Sequence, residues 1–357
     1  MRIVQLIDSL EAGGAERMAV NYANVLADEI EFSMLVATRK EGPLVSQIGD
    51  KVAYLFLHKK KPLDFGALRR LRSFVLQHKV THVHAHSTSF FLAFLLKLSL
   101  PSLKVIRHDH YGNNEFLVSR PIFVLKITAP FFAGVIAVNS NLKTWTQTRL
   151  KVKNATYLPN FSQKPTHQER YTTLLGKDNK RIVCLANLRM QKNHLLLLEV
   201  AVRLQKTHPD WTFHLVGKDF EDDYAAEIKS KIQELALQNQ VFLYGSRTDT
   251  SAILQQATIG ILTSASEGLP LSVLEYGMHQ LPVVVTAVGA LPEMIQHPTN
   301  GLLVPNNDTA AFTDALLRLI ENEAFRKQTG AAFYATVQEQ FAAEAIVNRY
   351  LNWLATL

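Results

Sequence analysis

One cysteine stands in 357 residues, Cys184, inside an apolar run. A lone thiol excludes an intrachain disulfide and a cysteine metal cluster, and it fits a small buried hydrophobe in a reducing compartment. No uninterrupted run of about 20 apolar residues occurs, so no transmembrane helix is expected. The opening M-R-I-V-Q-L-I-D lacks the apolar core and small-residue cleavage site of a secretory signal. The G-x-G-x-x-G fingerprint is missing, which argues against a nicotinamide site. Acid is scarce in the first 160 residues, where 21 Lys and Arg face 11 Asp and Glu; the remainder has 17 against 20. Between Lys59 and Arg107 ten basic residues face a single acid, Asp64.

Hydrophobic residues make up 47% of the chain, enough for sizeable cores. The length suits two domains of roughly 150 to 180 residues. Strands are expected at 3–7, 32–37, 53–57, 80–84, 104–107 and 135–138, and helices at about 15–26, 64–78, 88–98 and from 141. Such alternation predicts a parallel sheet with helices on both faces. Residues 162–180 are polar and aperiodic, as in a linker. A second set of strands follows at 181–187, 211–216 and 241–244, and the last helix is expected over about 342–354. Ligands of open parallel sheets gather beyond the carboxyl ends of the strands. His82, His84 and His86 follow one strand and His108 and His110 another. His-x-His spacing invites a metal, but no third ligand follows at a usual interval, so none is expected. Asp222-Asp223, the nearest acidic pair, reads as a solvated loop or a helix start. Gly13 and Gly14 lie between the first strand and helix, where a phosphate loop or a plain tight turn would serve.

The most informative stretch is 258–295, read as strand (259–262), loop (264–268), helix, strand (281–286), loop and a further helix opened by Pro292. Pro270 suits a helix start because its missing N–H would be unpaired there anyway. Glu267 precedes this helix and Glu275 lies two turns along it. Between them the helix start offers backbone donors and a partial positive charge, an anion site that Gly268 leaves approachable. Carboxylates on both sides of such a site suit a ligand with hydroxyls at both ends of a phosphate, such as a nucleoside diphosphate sugar. A capped surface helix with two solvated glutamates is the plainer reading.

This stretch resembles the signature of retaining GT-B glycosyltransferases of family 4 (glycosyl transferases group 1). Glu-x7-Glu is followed by P-V-V-x-T-x-x-G-x-x-P-E-x-I and then by N-G-L-L-V-P at 300–305. The resemblance implies an α/β fold of two Rossmann-like domains with parallel sheets facing across a cleft. The acceptor domain would be 1–162, joined by a C-terminal helix at 342–357, and 163–341 would bind the nucleotide sugar. It places Glu275 on ribose hydroxyls, Glu267 on sugar hydroxyls, and Gly268, Leu269, Pro270 and Leu271 on the diphosphate. Gly13 and Gly14 map onto the family's glycine loop. Gly217, read from its own place at the end of the strand 211–216, would let a nucleotide base lie against the backbone. The family's G-R-L-x-x-x-K matches at Lys192, whereas Asn187 stands where the arginine belongs; Arg189, two residues on, is assigned its role. His108 matches the strand-end histidine beside the donor sugar. His84, His86, Asp109, His110 and Ser140 are assigned to the acceptor side.

The activity so implied is a metal-independent, retaining hexosyl transfer without a cofactor. The donor is a nucleotide sugar, a UDP-sugar foremost, and the acceptor a glycan or lipid-linked oligosaccharide of bacterial surface polysaccharide assembly. The location expected is cytoplasmic, peripheral on the inner membrane face. A basic surface beside the apolar run 90–96 suits an anionic membrane, although that run also reads as a buried helix. The basic residues lack interleaved aromatics or a recognised binding motif, so no nucleic acid partner is expected. The alternatives are a non-catalytic GT-B subunit, to which the missing arginine at Asn187 points, and a nucleic-acid-binding protein using the basic half.

Overall fold

The computed structural model describes residues 1–162 and 171–357. Part of the linker expected at 162–180 therefore lies outside the described residues. The chain divides into two compact units, one of Met1–Phe161 with Ala343–Leu357, the other of Ser162–Ala342.

The first unit holds a seven-stranded parallel sheet of β1 (Arg2–Ser9), β2 (Phe32–Lys40), β3 (Ala53–Phe56), β4 (His82–His86), β5 (Lys104–Asp109), β6 (Gly134–Ala137) and β7 (Ala155–Tyr157). Its helices are α1 (Gly14–Glu29), α2 (Phe65–Gln77), α3 (Phe90–Ser99), α4 (Phe123–Thr128) and α5 (Ser140–Arg149). The strand order 3-2-1-4-5-6-7 is doubly wound and reverses between β1 and β4. Val4, Leu6, Val36, Val83 and Val105 are buried within the sheet, under Leu71 and Val75 of α2 and Leu92 and Leu96 of α3. Asp64 caps α2 by accepting from Ala67 N (2.9 Å), and Asn139 caps α5 through Leu142 N (2.8 Å).

The second unit begins at β8 (Arg181–Leu185). It continues with α6 (His194–Thr207), β9 (Thr212–Val216), α7 (Asp223–Glu234), β10 (Val241–Gly245), α8 (Thr250–Leu254), β11 (Ile259–Leu262) and α9 (Leu271–Met278). β12 (Val283–Thr286), α10 (Leu291–Met294), β13 (Leu302–Val304), α11 (Thr309–Glu321) and α12 (Glu323–Gln340) complete it. The terminal α13 (Ala343–Ala355) belongs to the first unit, where Tyr350 packs edge-on against Tyr22 of α1 (centroids 5.2 Å). The second sheet is parallel, in the order 10-9-8-11-12-13, and reverses between β8 and β11. Two α/β units with parallel sheets are the fold the sequence predicts.

The differences are local. The strand expected from 281 starts at Val283, because Pro282 has no N–H to give and contributes only its carbonyl, to Gly260 N at 3.0 Å. The histidines expected after a strand at 80–84 form the strand itself: β4 is His-Val-His-Ala-His and wholly buried. Lys79 turns the chain at φ 48°, so pairing with β1 begins only at Thr81, whose N–H reaches Arg2 O (2.9 Å). The basic run from Lys59 to Arg107 is not one surface. Lys59 and Arg107 are buried, Arg70 binds Leu57 O, and Lys97 binds Pro101 O and Leu103 O.

Candidate active site

Reversal of strand order leaves a crevice beyond the carboxyl ends of β8 and β11. The loop after β8 carries Lys192, and the loop after β11 carries Glu267. Three hydrogen bonds join these loops: Ala265 N to Gln191 O (2.8 Å), Gln191 Nε2 to Ser266 O (2.7 Å) and Thr263 Oγ1 to Lys192 O (3.0 Å). Asn193, left-handed at φ 49°, turns the chain into α6. Lys192 Nζ thereby reaches Glu267 Oε1 at 2.5 Å, across 75 residues of sequence. Ser264 Oγ donates to the same carboxylate oxygen (2.6 Å). Glu267 is 4% exposed, so the pair sets a shielded carboxylate beside a partly exposed ammonium. Beneath it, burial foremost pushes the Cys184 thiol up to about 12, which leaves it a neutral hydrophobe.

Pro270 occupies the N-cap of α9, and no side chain caps this end. The helix dipole is therefore presented toward the Glu267 loop. Tyr276, next to Glu275, fixes α9 to the sheet. Its hydroxyl accepts from Leu185 N (2.6 Å) and donates to Ile261 O (3.2 Å), and its ring lies where a Cβ on Gly260 would stand. Sequence reasoning missed Tyr276, Ser264 and Gly289. Gly289 sits at φ +58°, and a Cβ there would fall 2.2 Å from Glu267 O. Ala290 N binds Gly268 O at 2.9 Å, closing the same corner. Gly289→Ala is expected to cost about 2–4 kcal/mol, combining left-handed strain with a clash against backbone. Urea unfolding of the variant measures this; an unchanged midpoint would refute the corner's rigidity.

Gly217 is held as tightly: a Cβ would lie 2.1 Å from Ala186 O, so glycine lets the ends of β9 and β8 meet. Asn187 joins them further, its Oδ1 accepting from Lys218 N (2.7 Å). The exposed guanidinium of Arg189 stacks on Phe220 (4.2 Å) beside Lys218. The structure thus brings Lys192 to Glu267 and sets Arg189 at the end of β9. Asp222 caps α7 through Ala225 N (3.0 Å), which decides for the helix start over the solvated loop.

In the first unit Gly13 is the N-cap of α1, and Gly14 has open space around its missing Cβ. Register sets His86 of β4 opposite His108 of β5. His84 Nε2 and His108 Nδ1 lie 3.1 Å apart, and His86 bridges His110 Nε2 (2.9 Å) and Gln5 Oε1 (2.8 Å). Nitrogens of His84, His86 and His108 gather within 4.8 Å, the third ring arriving from a neighbouring strand that local spacing could not count. Tyr22 and Tyr350 cover the rings, and His84, His86 and His108 are fully buried. Burial first, then the neighbouring rings, holds all three well below the ordinary imidazole range. Burial, against the pull of Asp109, brings His110 down to about 3. Asp109 is clamped by Arg107 (3.0 Å) and Arg120 (2.8 Å to each oxygen). Burial alone would raise its carboxyl, but the two guanidiniums outweigh that and hold it at about 2. Ser140 is exposed at the first turn of α5.

The first unit and the second are thus each a doubly wound parallel sheet, and in the second a Lys–Glu pair and a helix start meet at the strand-order reversal. Residues 166–335 match the family Glycosyl transferases group 1, and residues 12–161 match Glycosyltransferase Family 4. The chain belongs to the GT-B glycosyltransferases. It is 26% identical to an uncharacterized glycosyltransferase of Haemophilus influenzae, over 87% of this chain and 88% of that one. It is 24% identical to the UDP-Gal:alpha-D-GlcNAc-diphosphoundecaprenol alpha-1,3-galactosyltransferase of Escherichia coli, over 90% and 87%. Among solved structures, Anabaena HepE in complex with UDP-glucose shares the fold at TM-score 0.80 and 17% identity, each chain covered in full.

Proposed function

We propose that this enzyme transfers a hexose-type sugar from a nucleotide sugar, a UDP-sugar foremost, to a glycan or lipid-linked acceptor in bacterial surface polysaccharide assembly. The observation that carries the reading is the Lys192–Glu267 pair beside the start of α9. A donor would bind by parting this pair. Lys192 and the first turn of α9 would take the diphosphate, Glu267 would accept from sugar hydroxyls and Glu275 from ribose hydroxyls. Charge grows on the departing diphosphate, so a fixed cation and a helix dipole aimed at it lower the barrier. The acceptor hydroxyl would attack from the face the diphosphate leaves, handing its proton to that phosphate. The anomeric configuration is then retained, and no protein nucleophile or metal is called upon. The Escherichia coli relative, named for UDP-Gal and a diphosphoundecaprenol acceptor, supports the donor and acceptor classes.

Thermal shift with UDP, GDP and ADP, each with and without chelator, tests this directly, since a ligand that binds only the folded state raises Tm with occupancy. UDP is expected to stabilise equally in both conditions, and Glu275→Ala to weaken UDP binding about tenfold or more through two lost charged hydrogen bonds. No shift with any nucleotide would instead favour a non-catalytic subunit.

A further inference from the structure

The histidine face of the first sheet takes no part in the donor chemistry, and its polar atoms do not balance. Alternation along β4 and its register with β5 put His84, His86 and His108 on one side of the sheet, with Gln5 of β1 opposite His84. Tyr22 of α1 packs on these three rings at centroid distances of 5.0, 6.1 and 5.8 Å, and Tyr350 of α13 stacks on His84 at 5.0 Å. A neutral imidazole carries one proton and one lone pair. The bond between His84 Nε2 and His108 Nδ1 takes up one of each, whichever ring donates. One proton and one lone pair are left over, on His84 Nδ1 and His108 Nε2, and neither atom has a hydrogen-bond partner among the described residues. The Tyr22 hydroxyl is buried without a partner as well. Buried polar atoms are nearly always paired, so orphans gathered in one place ask for a ligand.

We propose that His84, His86 and His108 hold a late first-row transition metal, zinc foremost, as a structural ion of the first unit. Three neutral imidazoles offer three lone pairs, the donor type such ions prefer. One nitrogen from each ring lies within 4.8 Å of the others. A tetrahedral zinc with bonds of about 2.0–2.1 Å holds its nitrogens about 3.3 Å apart, and the His84–His108 pair already stands at 3.1 Å. His110 is the fourth donor, its Nε2 2.9 Å from His86 Nδ1 and its ring 3.9 Å from that of His108. Each ring binds through its lone pair and keeps its proton, so bonds between rings give way to bonds to the ion. Asp109 is taken up by Arg107 and Arg120, which leaves an all-nitrogen donor set and disfavours magnesium and calcium. The tyrosine cover means that the ion enters as the chain folds. Every residue of the site belongs to the first unit, and the proposed sugar transfer asks nothing of this ion.

Metal analysis of the whole chain, produced in zinc-supplemented medium and dialysed exhaustively, tests it. About one zinc per chain is expected, falling about tenfold or more in His84→Gln with His108→Gln. His58→Gln with His297→Gln, at exposed positions, is expected to keep the ion, which separates this site from surface binding. Chain produced with cobalt(II) in place of zinc is expected to show the intense visible absorption of a tetrahedral ion with nitrogen ligands. Chain produced in metal-depleted medium should melt about 5 °C or more lower. Where His84→Gln with His108→Gln fails to fold, the zinc content and cobalt spectrum of the wild type decide. Wild type free of zinc, the weak absorption of an octahedral, water-bound cobalt, or a folded His84→Gln, His108→Gln variant that keeps its zinc overturns the proposal. None of these readouts involves the sugar donor, so their failure and that of the transfer reading are told apart.

Discussion

Lys192→Ala is expected to lower kcat by about 10²–10³-fold, the loss seen when one preorganised group facing developing charge is removed. The effect should fall mainly on kcat, because the ammonium meets its largest charge as the diphosphate departs. Removing Lys192 also takes from Glu267, 4% exposed, the ammonium that it faces at 2.5 Å. A shielded carboxylate stripped of its partner costs folding free energy, about 3–5 kcal/mol at full burial. The partial exposure of Lys192 in this pair reduces that figure. Glu267→Gln separates the two effects. It keeps the shape and removes the charge, so stability should be nearly recovered in the Lys192→Ala, Glu267→Gln double variant while turnover stays low. Release of nucleoside diphosphate from the stabilising nucleotide sugar gives the rate, and urea unfolding gives the stability. Near-wild-type turnover in Lys192→Ala would falsify the assignment.

Acidification from pH 7 to 5 is expected to lower the melting temperature. His84, His86 and His108 are buried and neutral, with pKa values held below their ordinary 6.5 chiefly by burial. Well above pH 6.5 neither the folded nor the unfolded chain binds protons at these rings, so stability is flat. Below it the unfolded chain takes up protons that the folded chain refuses, and stability falls as pH drops. Each ring contributes up to about 1.4 kcal/mol per pH unit, so three together remove about 4 kcal/mol per unit. Asp109 works in a lower window: with its folded value at about 2, its stabilisation is full above about 4 and is lost only below that. Melting temperature against pH is the measurement. A flat profile between pH 7.5 and 5 would show that the rings titrate freely.

The strand Ile259–Leu262, the helix after Pro270 and the Glu-x7-Glu spacing could be read from the chain because each depends on neighbours within a turn or two. Apolar runs of four, a proline at a helix start and carboxylates two turns apart are local facts. The burial of Cys184 followed for the same reason. The histidine strand did not. His82, His84 and His86 read as a polar strand end, and the burial of His84 and His86 depends on Gln5, Tyr22 and Tyr350, drawn from three other elements. The basic run misled in a similar way, since sequence counts charges without knowing which carbonyls or carboxylates will take them.

The sequence by itself determined two α/β halves, the alternation of strands and helices, and the helix that starts after Pro270 with its flanking glutamates. Tertiary structure alone decided that Lys192 meets Glu267, that Gly289 must lack a Cβ beneath that loop, and that Tyr276 pins α9 to the sheet. The physical reason is the order of strands. β8 and β11 become neighbours only when the sheet assembles around their reversal, and no local pattern encodes which distant loops a parallel sheet will bring together.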